Sequence, residues 1–305
     1  MGLLASFYWR DAELAGLQFT ANRFRQREIR PHRHGGYTLS VSDTELEIRT
    51  SAGTTVVAPN TLVRIAPRVW HSLRARTAPW SERAMYCSGA VARCVNAVTH
   101  IDIDIDIDID RMLRAEEGAV VVLNNPQAAR DFVECHDLLH DALKAGDGQC
   151  AMAGRTLLRH RLWQWLANEP MSAAGSMATA GTRAQVDERM SRLYELIATD
   201  FHQRITLDAL ARTVGWHPVH VQKRFKTVWG FTPHELIVGH RIEYARDLIA
   251  GGARVGYAAH AAGFSDQSHL HRTFIGTYAV VPGEYRRLSG LDALQPASAR
   301  NGIVD

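Results

Sequence analysis

Hydrophobic and polar residues follow two different periods along this chain, and the change of period divides it into two regions. From Phe19 to Cys87, short apolar runs alternate with Gly, Pro, Asn and Asp. The runs are TLSVSD, TELEIRT, GTTVVAP, NTLVRIAP and ERAMYC. Such short runs, rich in β-branched side chains and closely spaced by turn residues, predict antiparallel strands of a sandwich or barrel.

The apolar spacing becomes helical after Pro126. The residues that share a helical face are Phe132, Cys135, Leu139 and Leu143 in a first run, and Leu158, Leu162, Trp165 and Leu166 in a second. A short Gly-containing loop, 144–149, separates the two runs and predicts a helical hairpin. The hairpin would either close off the barrel or form a dimer interface.

A helix-turn-helix pattern occupies about 205–230. Thr206 is a natural N-cap for an amphipathic helix, and Gly215 is suited to leave that helix with a positive φ. A second helix then begins near Pro218 and can bury Val221 together with Phe225.

The same pattern returns at about 255–278. Gly263 ends a helix 48 positions after Gly215, and Ser265 is the expected cap of the next helix. Leu270 and Phe274 are again four apart. The chain therefore contains an internal duplication of a helix-turn-helix.

One long helix is predicted between the two copies. Thr232 with Glu235 forms a capping box, Pro233 takes the first helical position, and Gly251 ends the run. About eighteen helical residues span roughly 27 Å. That length could hold two reading helices about one DNA turn, ~34 Å, apart.

Charge separates the same two regions. The whole chain of 305 residues has 35 Lys+Arg against 32 Asp+Glu, a formal +3. Residues 1–182 balance at zero, 183–290 carry 14 basic against 10 acidic residues, hence +4, and 291–305 carry −1. A basic C-terminal region favours a polyanionic partner.

Composition excludes several classes of protein. At 46% hydrophobic and 22% charged, the chain is typical of globular proteins. It has neither an apolar run of the ~18 residues that would span a bilayer nor a signal-peptide pattern, so we expect a cytoplasmic protein. Its four cysteines form no CxxC pair, which disfavours a zinc finger or a thiol redox motif and indicates reduced thiols.

The C-terminal residues resemble the AraC/XylS family of bacterial transcription regulators. The strings that carry the resemblance are AAGFSDQSHLHRTF, from Ala261, and the PxxYR motif that begins at Pro282. Less specifically, PHRHGGYTLSV and VVAPNTLVRIAPRVWHS in the N-terminal half are similar to the family's cupin-like effector domain. The resemblance implies promoter DNA, a small-molecule effector and RNA polymerase as partners, a possible homodimer, and activation of transcription.

The expected fold class is α+β. A cupin-like β-barrel with a helical hairpin precedes an all-α domain of two helix-turn-helix subdomains joined by a long linker helix. The expected boundaries are 1–125 for the effector-sensing β-domain, 126–170 for the hairpin, 171–182 for a linker, 183–290 for the DNA-binding domain and 291–305 for a tail.

Three positions depart from the family pattern. Ile275 stands where a basic residue is usual, which weakens one phosphate contact. His217 replaces the common Ser before the first recognition helix, and Ala279 replaces a frequent Gly. The last two changes affect cap and turn geometry.

The side chains expected to meet DNA lie opposite the buried pairs of the two second helices. The candidate DNA-binding residues are Val219, His220, Gln222, Lys223 and Lys226 in the first unit, and Gln267, Ser268, His269 and Arg272 in the second. The resemblance assigns base contacts to Val219, Gln222, Lys223, Ser268, His269 and Arg272. Arg272 and Lys223 can donate to guanine and Gln222 can pair with adenine, whereas Lys226 and Arg224 suit phosphate.

The N-terminal half holds an HxH pair, His32 and His34, on a predicted strand, and His71 follows. Three histidines can bind Zn or Fe. However, GGYTLS follows the pair, where metal-binding cupins usually carry a Glu. We therefore expect His32, His34, Tyr37 and His71 to line a pocket for an effector, with no metal and no cofactor. A metal site and structural hydrogen bonding remain the alternatives.

The function expected is therefore an effector-responsive, DNA-binding transcription regulator and not an enzyme. One alternative is a cupin-type metalloenzyme fused to a DNA-binding module, and another is a constitutive DNA-binding protein with a vestigial barrel. Five consecutive Ile-Asp pairs, Ile101–Asp110, suggest an expanded repeat in a loop or an extra strand, and we assign them no function.

Overall fold

The computed structural model of the chain describes residues 3–9, 11, 13–14, 16–87, 120–167 and 188–289. The Ile-Asp repeat, the expected linker at 171–182, the expected tail at 291–305 and Cys94 lie outside these residues. The strands described are β1 (Leu3–Trp9), β2 (Leu17–Phe24), β3 (Glu28–His32), β4 (Tyr37–Ser42), β5 (Leu46–Thr50), β6 (Gly53–Val57), β7 (Leu62–Ile65), β8 (His71–Ala75), β9 (Trp80–Cys87) and β10 (Val120–Leu123). The five runs singled out in the sequence are confirmed as β4, β5, β6, β7 and β9.

The strands form two antiparallel sheets. A six-stranded sheet has the order β1-β2-β9-β4-β7-β10, and a four-stranded sheet has the order β3-β8-β5-β6. The pairings described leave the two sheets open, and buried residues of both belong to one apolar cluster, so the expected barrel is a cupin-like two-sheet arrangement. All pairings join strands that run in opposite directions.

The predicted helical hairpin covers the outer face of the six-stranded sheet. It consists of α1 (Pro126–Ala145) and α2 (Gly148–Ala167). Phe132 of α1 and Trp165 of α2 are fully buried in the same apolar cluster as Phe19, Leu39 and Met85 of the sheet. The hairpin therefore packs within its own chain, as one of the two expectations had it.

The inner face of the same sheet is unusually polar. Directly paired residues of antiparallel strands point to the same side. Glu82 of β9 pairs with Asn22 of β2 and Ser42 of β4, and all three are buried. Glu82 also hydrogen-bonds with Ser40, and burial raises the pKa of Glu82 from 4.5 to about 7.

The C-terminal helices follow the predicted duplication. They are α3 (Glu188–Asp200), α4 (Leu207–Val214), α5 (Pro218–Trp229), α6 (Pro233–Ala250), α7 (Val255–Ala261), α8 (Gln267–Tyr278) and α9 (Pro282–Ser289). The first helix-turn-helix is α4–α5, the second is α7–α8, and α6 is the 18-residue linker helix between them. None of the described helices combines the length and apolar character that crossing a bilayer requires.

The caps explain where these helices begin and end. Thr206 caps α4 through the backbone N–H of Ala209, and Gly215 follows α4 in the left-handed region at φ 70°. The capping box of α6 forms as predicted, with Thr232 and Glu235 each accepting from the other's backbone N–H.

The second unit differs from the prediction at its cap. Asp266 caps α8 by accepting from the N–H of His269, so the expected cap at Ser265 is wrong. The Ser265 hydroxyl instead donates to the Asp266 carboxylate at 2.9 Å. The carboxylate is the stronger acceptor, and Ser265 orients it.

Two of the departures from the family pattern are accommodated locally. His217 still caps α5, since its Nδ1 accepts from the N–H of Val219 at 3.4 Å, although this is a long contact. Ala279 ends α8 in the left-handed region at φ 56°. An L side chain there costs about 1 kcal/mol relative to glycine. The methyl group of Ala279 is fully buried in the apolar cluster of the N-terminal sheets, which offsets part of that cost.

The buried Glu82 predicts a pH-dependent stability difference. Below pH 4.5 the carboxyl is protonated in both the folded and the unfolded chain. Between 4.5 and about 7 only the unfolded chain loses the proton, so the folded state loses stability as the pH rises. Glu82→Gln should therefore be more stable than the parent chain at pH 8, by on the order of 3 kcal/mol, and equally stable near pH 4.5.

Urea unfolding of both chains across this pH range measures the difference. Gln keeps the volume of Glu and can still accept the Ser40 hydrogen bond. A stability difference that does not change with pH would show that Glu82 is ionised in the folded state.

Candidate nucleic-acid interface and histidine cluster

The first recognition helix, α5, presents the predicted face to solvent. Val221 and Phe225 are fully buried, whereas Val219 is 51% exposed. The other first-unit candidates, His220, Gln222, Lys223 and Lys226, are also exposed. Two cationic side chains and one amide thus lie on a single open face, which suits contact with a phosphate backbone and base edges.

The second recognition helix, α8, is arranged in the same way. Leu270 and Phe274 are fully buried, while Gln267, Ser268 and Arg272 are exposed. His269 differs because it is half-buried, with its ring 5.1 Å from that of Phe264. Its Nδ1 lies 3.2 Å from the Ser265 hydroxyl, and burial first, then the charge of Arg272, lowers its pKa.

Each recognition helix is held by its own apolar core. Val221 and Phe225 belong to a cluster with Leu210 of α4 and Met190 of α3. Leu270 and Phe274 belong to a separate cluster with Ala258 of α7 and Ile249 of α6. The linker helix contributes to both clusters, through Leu236 at its start and Ile249 at its end. It therefore fixes one helix-turn-helix relative to the other.

The three predicted histidines come together at one end of the two sheets. His32 and His71 pair directly across β3 and β8, and their rings are 4.3 Å apart. The predicted strand ends at His32, so His34 lies just beyond it. Its ring is still 4.9 Å from that of His32 and 5.3 Å from that of His71.

Hydrogen bonds fix two of these rings. His32 Nδ1 lies 2.8 Å from the carbonyl oxygen of Arg30, and His71 Nδ1 lies 2.9 Å from that of Val69. Burial lowers the pKa of His71 to about 4, although its hydrogen bond to Val69 opposes the shift. Burial is also the main cause that lowers the pKa values of His32 and His34 well below 6.5, and neighbouring positive charge adds to it. The three imidazoles are therefore neutral at pH 7.

Tyr37, the fourth residue expected at the effector pocket, is not brought to the cluster. Tyr37 pairs with Cys87, whereas its neighbour Thr38 pairs with Tyr86. Because successive residues of a strand face opposite sides, Tyr37 and Tyr86 point to opposite faces of the sheet. The Arg64 guanidinium lies 6.0 Å from the Tyr37 ring. Tyr86 takes the place beside the histidines, with its ring 4.7 Å from that of His34.

Residues of the C-terminal helices border the histidines, which sequence reasoning missed. The ring of Tyr278, the last residue of α8, lies 6.3 Å from that of His32. The Arg246 guanidinium of α6 is 5.7 Å from the Tyr278 ring. No local pattern marks either residue, because the contact joins positions more than two hundred apart in the chain.

Comparisons with known proteins agree with the duplicated helices. A family model described as a helix-turn-helix domain matches residues 210–288. The HTH-type transcriptional regulator YbfI of Bacillus subtilis (strain 168) is 26% identical over 116 residues, which are 38% of this chain and 42% of YbfI. The chain therefore spans less than half of that relative.

A longer match covers both halves of the chain. The transcriptional activator NphR of Rhodococcus sp is 26% identical over 264 residues, 83% of this chain and 70% of NphR. Among solved structures, ToxT from Vibrio cholerae O395 is 13% identical with a TM-score of 0.43, covering 90% of this chain and 98% of that chain. Residues 210–288 thus form a helix-turn-helix domain, and the chain is a DNA-binding transcription regulator similar to these relatives.

The N-terminal sheets contact the linker helix closely. Trp70, between β7 and β8, donates from its indole N–H to the Tyr194 hydroxyl of α3 at 3.1 Å. It joins the apolar cluster of the first helix-turn-helix. From Leu236 to His240, five consecutive residues of α6 are buried, which is more than one full turn. The helix is enclosed there on every side.

Gly239 is the residue that permits this approach. A Cβ added there would lie 2.5 Å from Cζ3 of Trp70 and 3.1 Å from the carbonyl oxygen of Pro31. Neither the buried indole nor the β3 backbone can move without disturbing its own packing.

Two ion pairs flank the contact. Arg33 donates to both carboxylate oxygens of Glu243 at 2.8 and 3.1 Å, and Arg49 donates to Glu235 at 2.9 Å. Arg33 and Glu243 are 25% and 18% exposed, so solvent screens this pair only partly. Gln26 adds a hydrogen bond to the backbone oxygen of Gly276 in α8 at 3.0 Å.

Gly239→Ala should separate the sheets from the linker helix. The new methyl group overlaps the Trp70 ring, and such overpacking costs about 1–3 kcal/mol. We expect a lower urea midpoint and a red-shifted tryptophan fluorescence before global unfolding. The matched control is Gly148→Ala on α2, where an added Cβ meets nothing within 4 Å. Equal behaviour of the two variants would contradict the close packing.

Proposed function

We propose that this chain is an effector-responsive transcription activator that acts in the cytoplasm on promoter DNA. The observation that supports the proposal most directly is the pair of recognition helices, α5 and α8, each with an open polar face and each anchored to one linker helix. Of the nine candidate DNA-binding residues, all but His269 are exposed. The two helices would enter successive major grooves on one face of the duplex.

The roles of the candidate residues follow from their chemistry. Arg272, Lys223 and Gln222 would read base edges together with Ser268 and Val219. Lys226 would contact phosphate and set affinity and salt dependence. His269 would add a further base contact, and His220 and Gln267 would border these contacts.

The N-terminal region would sense a small molecule. In this proposal 1–125 is the effector domain, 126–170 the hairpin that covers it, 171–182 a linker and 183–290 the DNA-binding domain. His32, His34 and His71 support the placement of the effector site, because they lie where the N-terminal sheets meet the C-terminal helices. A ligand bound there can contact both regions and so favour one arrangement of the two. RNA polymerase, and a second copy of the chain, would be its protein partners.

The chain would act by binding and not by catalysis. We therefore expect an effector to be recovered unchanged after incubation with the protein and any added metal. Conversion of the effector would instead favour the metalloenzyme alternative.

Footprinting with the full chain tests the DNA-binding proposal. Duplexes are first enriched from a random pool, since the operator is unknown, and the best are then cleaved with and without protein. We expect two protected segments about 10 base pairs apart on one face of the duplex. Retention of every duplex equally, with no discrete protection, would contradict the proposal.

Arg272→Ala should change sequence preference. The variant should lose roughly 1–3 kcal/mol on the preferred site and become tolerant at one base position. Lys226→Ala is the contrasting variant, because loss of a phosphate contact should weaken binding uniformly and reduce the salt slope by about 1. Arg130→Ala, an exposed arginine of α1, should change neither.

Titration across single-base variants of the preferred site distinguishes these outcomes. A uniform loss for Arg272→Ala at every sequence would assign Arg272 to the backbone and leave base reading to its neighbours.

A further inference from the structure

The histidine cluster has the composition and spacing of a metal site. His32, His34 and His71 each offer one ring nitrogen, and these atoms all lie within 4.8 Å of one another. Zinc–nitrogen distances of about 2.0–2.1 Å in a tetrahedral site place ligand nitrogens roughly 3.4 Å apart. Small side-chain rotations would therefore bring all three onto one ion.

The surroundings fix which nitrogen two of the three rings offer. A carbonyl oxygen only accepts hydrogen bonds, so His32 and His71 must carry the proton on Nδ1, where they meet the carbonyls of Arg30 and Val69. Their Nε2 lone pairs are then left for another partner. Metal-binding histidines are typically held in this way, with the second nitrogen donating to a backbone carbonyl.

Arg246 is a positive charge close enough to act on His32 and His34. Arg246 binds Asp247 through Nε and Nη2 at 3.0 and 2.8 Å, and Glu243 is engaged by Arg33. Within the described part of the chain, the cluster of possible metal ligands at this place consists of the three histidines and contains no carboxylate. A divalent ion on three neutral ligands next to Arg246 would leave buried charge unbalanced, which is costly unless an anion joins it.

A hydrogen-bond donor is available for such an anion. Tyr278 is half-buried, and its hydroxyl is fully buried with no hydrogen-bond partner among the described residues. Buried hydroxyls are normally satisfied, so this unpartnered one is available to a ligand. Its ring lies 6.3 Å from the His32 ring and 5.7 Å from the Arg246 guanidinium.

We infer that His32, His34 and His71 bind one divalent transition-metal ion, and that an anionic oxygen ligand, such as a carboxylate, completes its coordination while interacting with Tyr278 and Arg246. Three imidazoles suit Zn²⁺, Fe²⁺, Co²⁺ or Ni²⁺. The metal site itself does not depend on the proposed function. Only the identification of the anion with the effector rests on that proposal, which it deepens.

The location of Tyr278 connects ligand binding to the helices that would bind DNA. Tyr278 is the last residue of the second recognition helix, and Arg246 belongs to the linker helix. A bound anion would join both helices to the N-terminal sheets through the metal. Its binding energy would then favour one placement of the recognition helix over others.

Cobalt titration of the untagged full chain tests the metal site, since Co²⁺ reports its ligands through visible absorption. We expect saturation at one equivalent and displacement by Zn²⁺. His34→Gln and His71→Gln should each raise the Kd for Co²⁺ by more than about 100-fold, because loss of a ligand exceeds the 10–100-fold cost of losing its outer partner. His160→Gln, which changes an exposed histidine of α2, should leave the Kd unchanged.

Circular dichroism and thermal melting of each variant show whether it folds. His34 is half-buried and His71 fully buried, so His34→Gln provides the result if His71→Gln does not fold. Failure of the parent chain to saturate, or equal Kd values for the parent and a folded His34→Gln, would overturn the metal site.

Acetate tests the anionic ligand, because it binds free Co²⁺ only weakly. Acetate should shift the cobalt bands and lower the Kd for Co²⁺ by roughly 10-fold in the parent chain, a typical coupling between sites. Arg246→Gln and Tyr278→Phe should bind Co²⁺ but lose most of the effect of acetate. An equal effect in all three chains would overturn the role of Arg246 and Tyr278.

The outcomes for the metal and for the proposed function can be separated by footprinting the same preparations. Discrete DNA protection by a chain that binds no cobalt would overturn the metal site and leave the regulator intact. Cobalt saturation without discrete protection would overturn the proposed function and leave the metal site intact.

Discussion

The enclosed turn of α6, between Leu236 and His240, is the constraint on which the rest of the structure depends. One side of the linker helix builds the core of the first helix-turn-helix, its far end builds that of the second, and the remaining side receives Trp70. A helix that is apolar all round is stable only when it is covered all round. The two DNA-reading units and the N-terminal sheets are thus parts of one packing arrangement.

The duplicated helices could be predicted from the sequence because their signals are local. Thr206 and Gly215 mark the ends of α4, and Thr232 with Glu235 marks the start of α6, all through contacts within a few residues. The buried pairs of the recognition helices follow from a spacing of four. The exposed face of each recognition helix, which carries the candidate DNA-binding residues, is then the side opposite the buried pair.

The contacts between the two halves could not be predicted, because they join residues that are distant in sequence. Nothing near Trp70 or Gly239 indicates that the two meet. The position of Tyr37 also depended on strand register, since a shift by one residue reverses every side chain of a strand. The histidine cluster was found because its residue type is rare in such a pattern, whereas Tyr278 and Arg246 carry no comparable signal.

The contact between Trp70 and Gly239 also limits how such regulators can be recombined. Exchanging the N-terminal half for that of a relative would transplant a different side chain onto a helix surface shaped to admit an indole ring. A chimera would need to keep the matching pair of residues, or its N-terminal sheets and its helix-turn-helix units would be joined by the peptide chain alone. The two halves can therefore be exchanged freely in the gene, but in the folded protein they fit only together with the residues that form this contact.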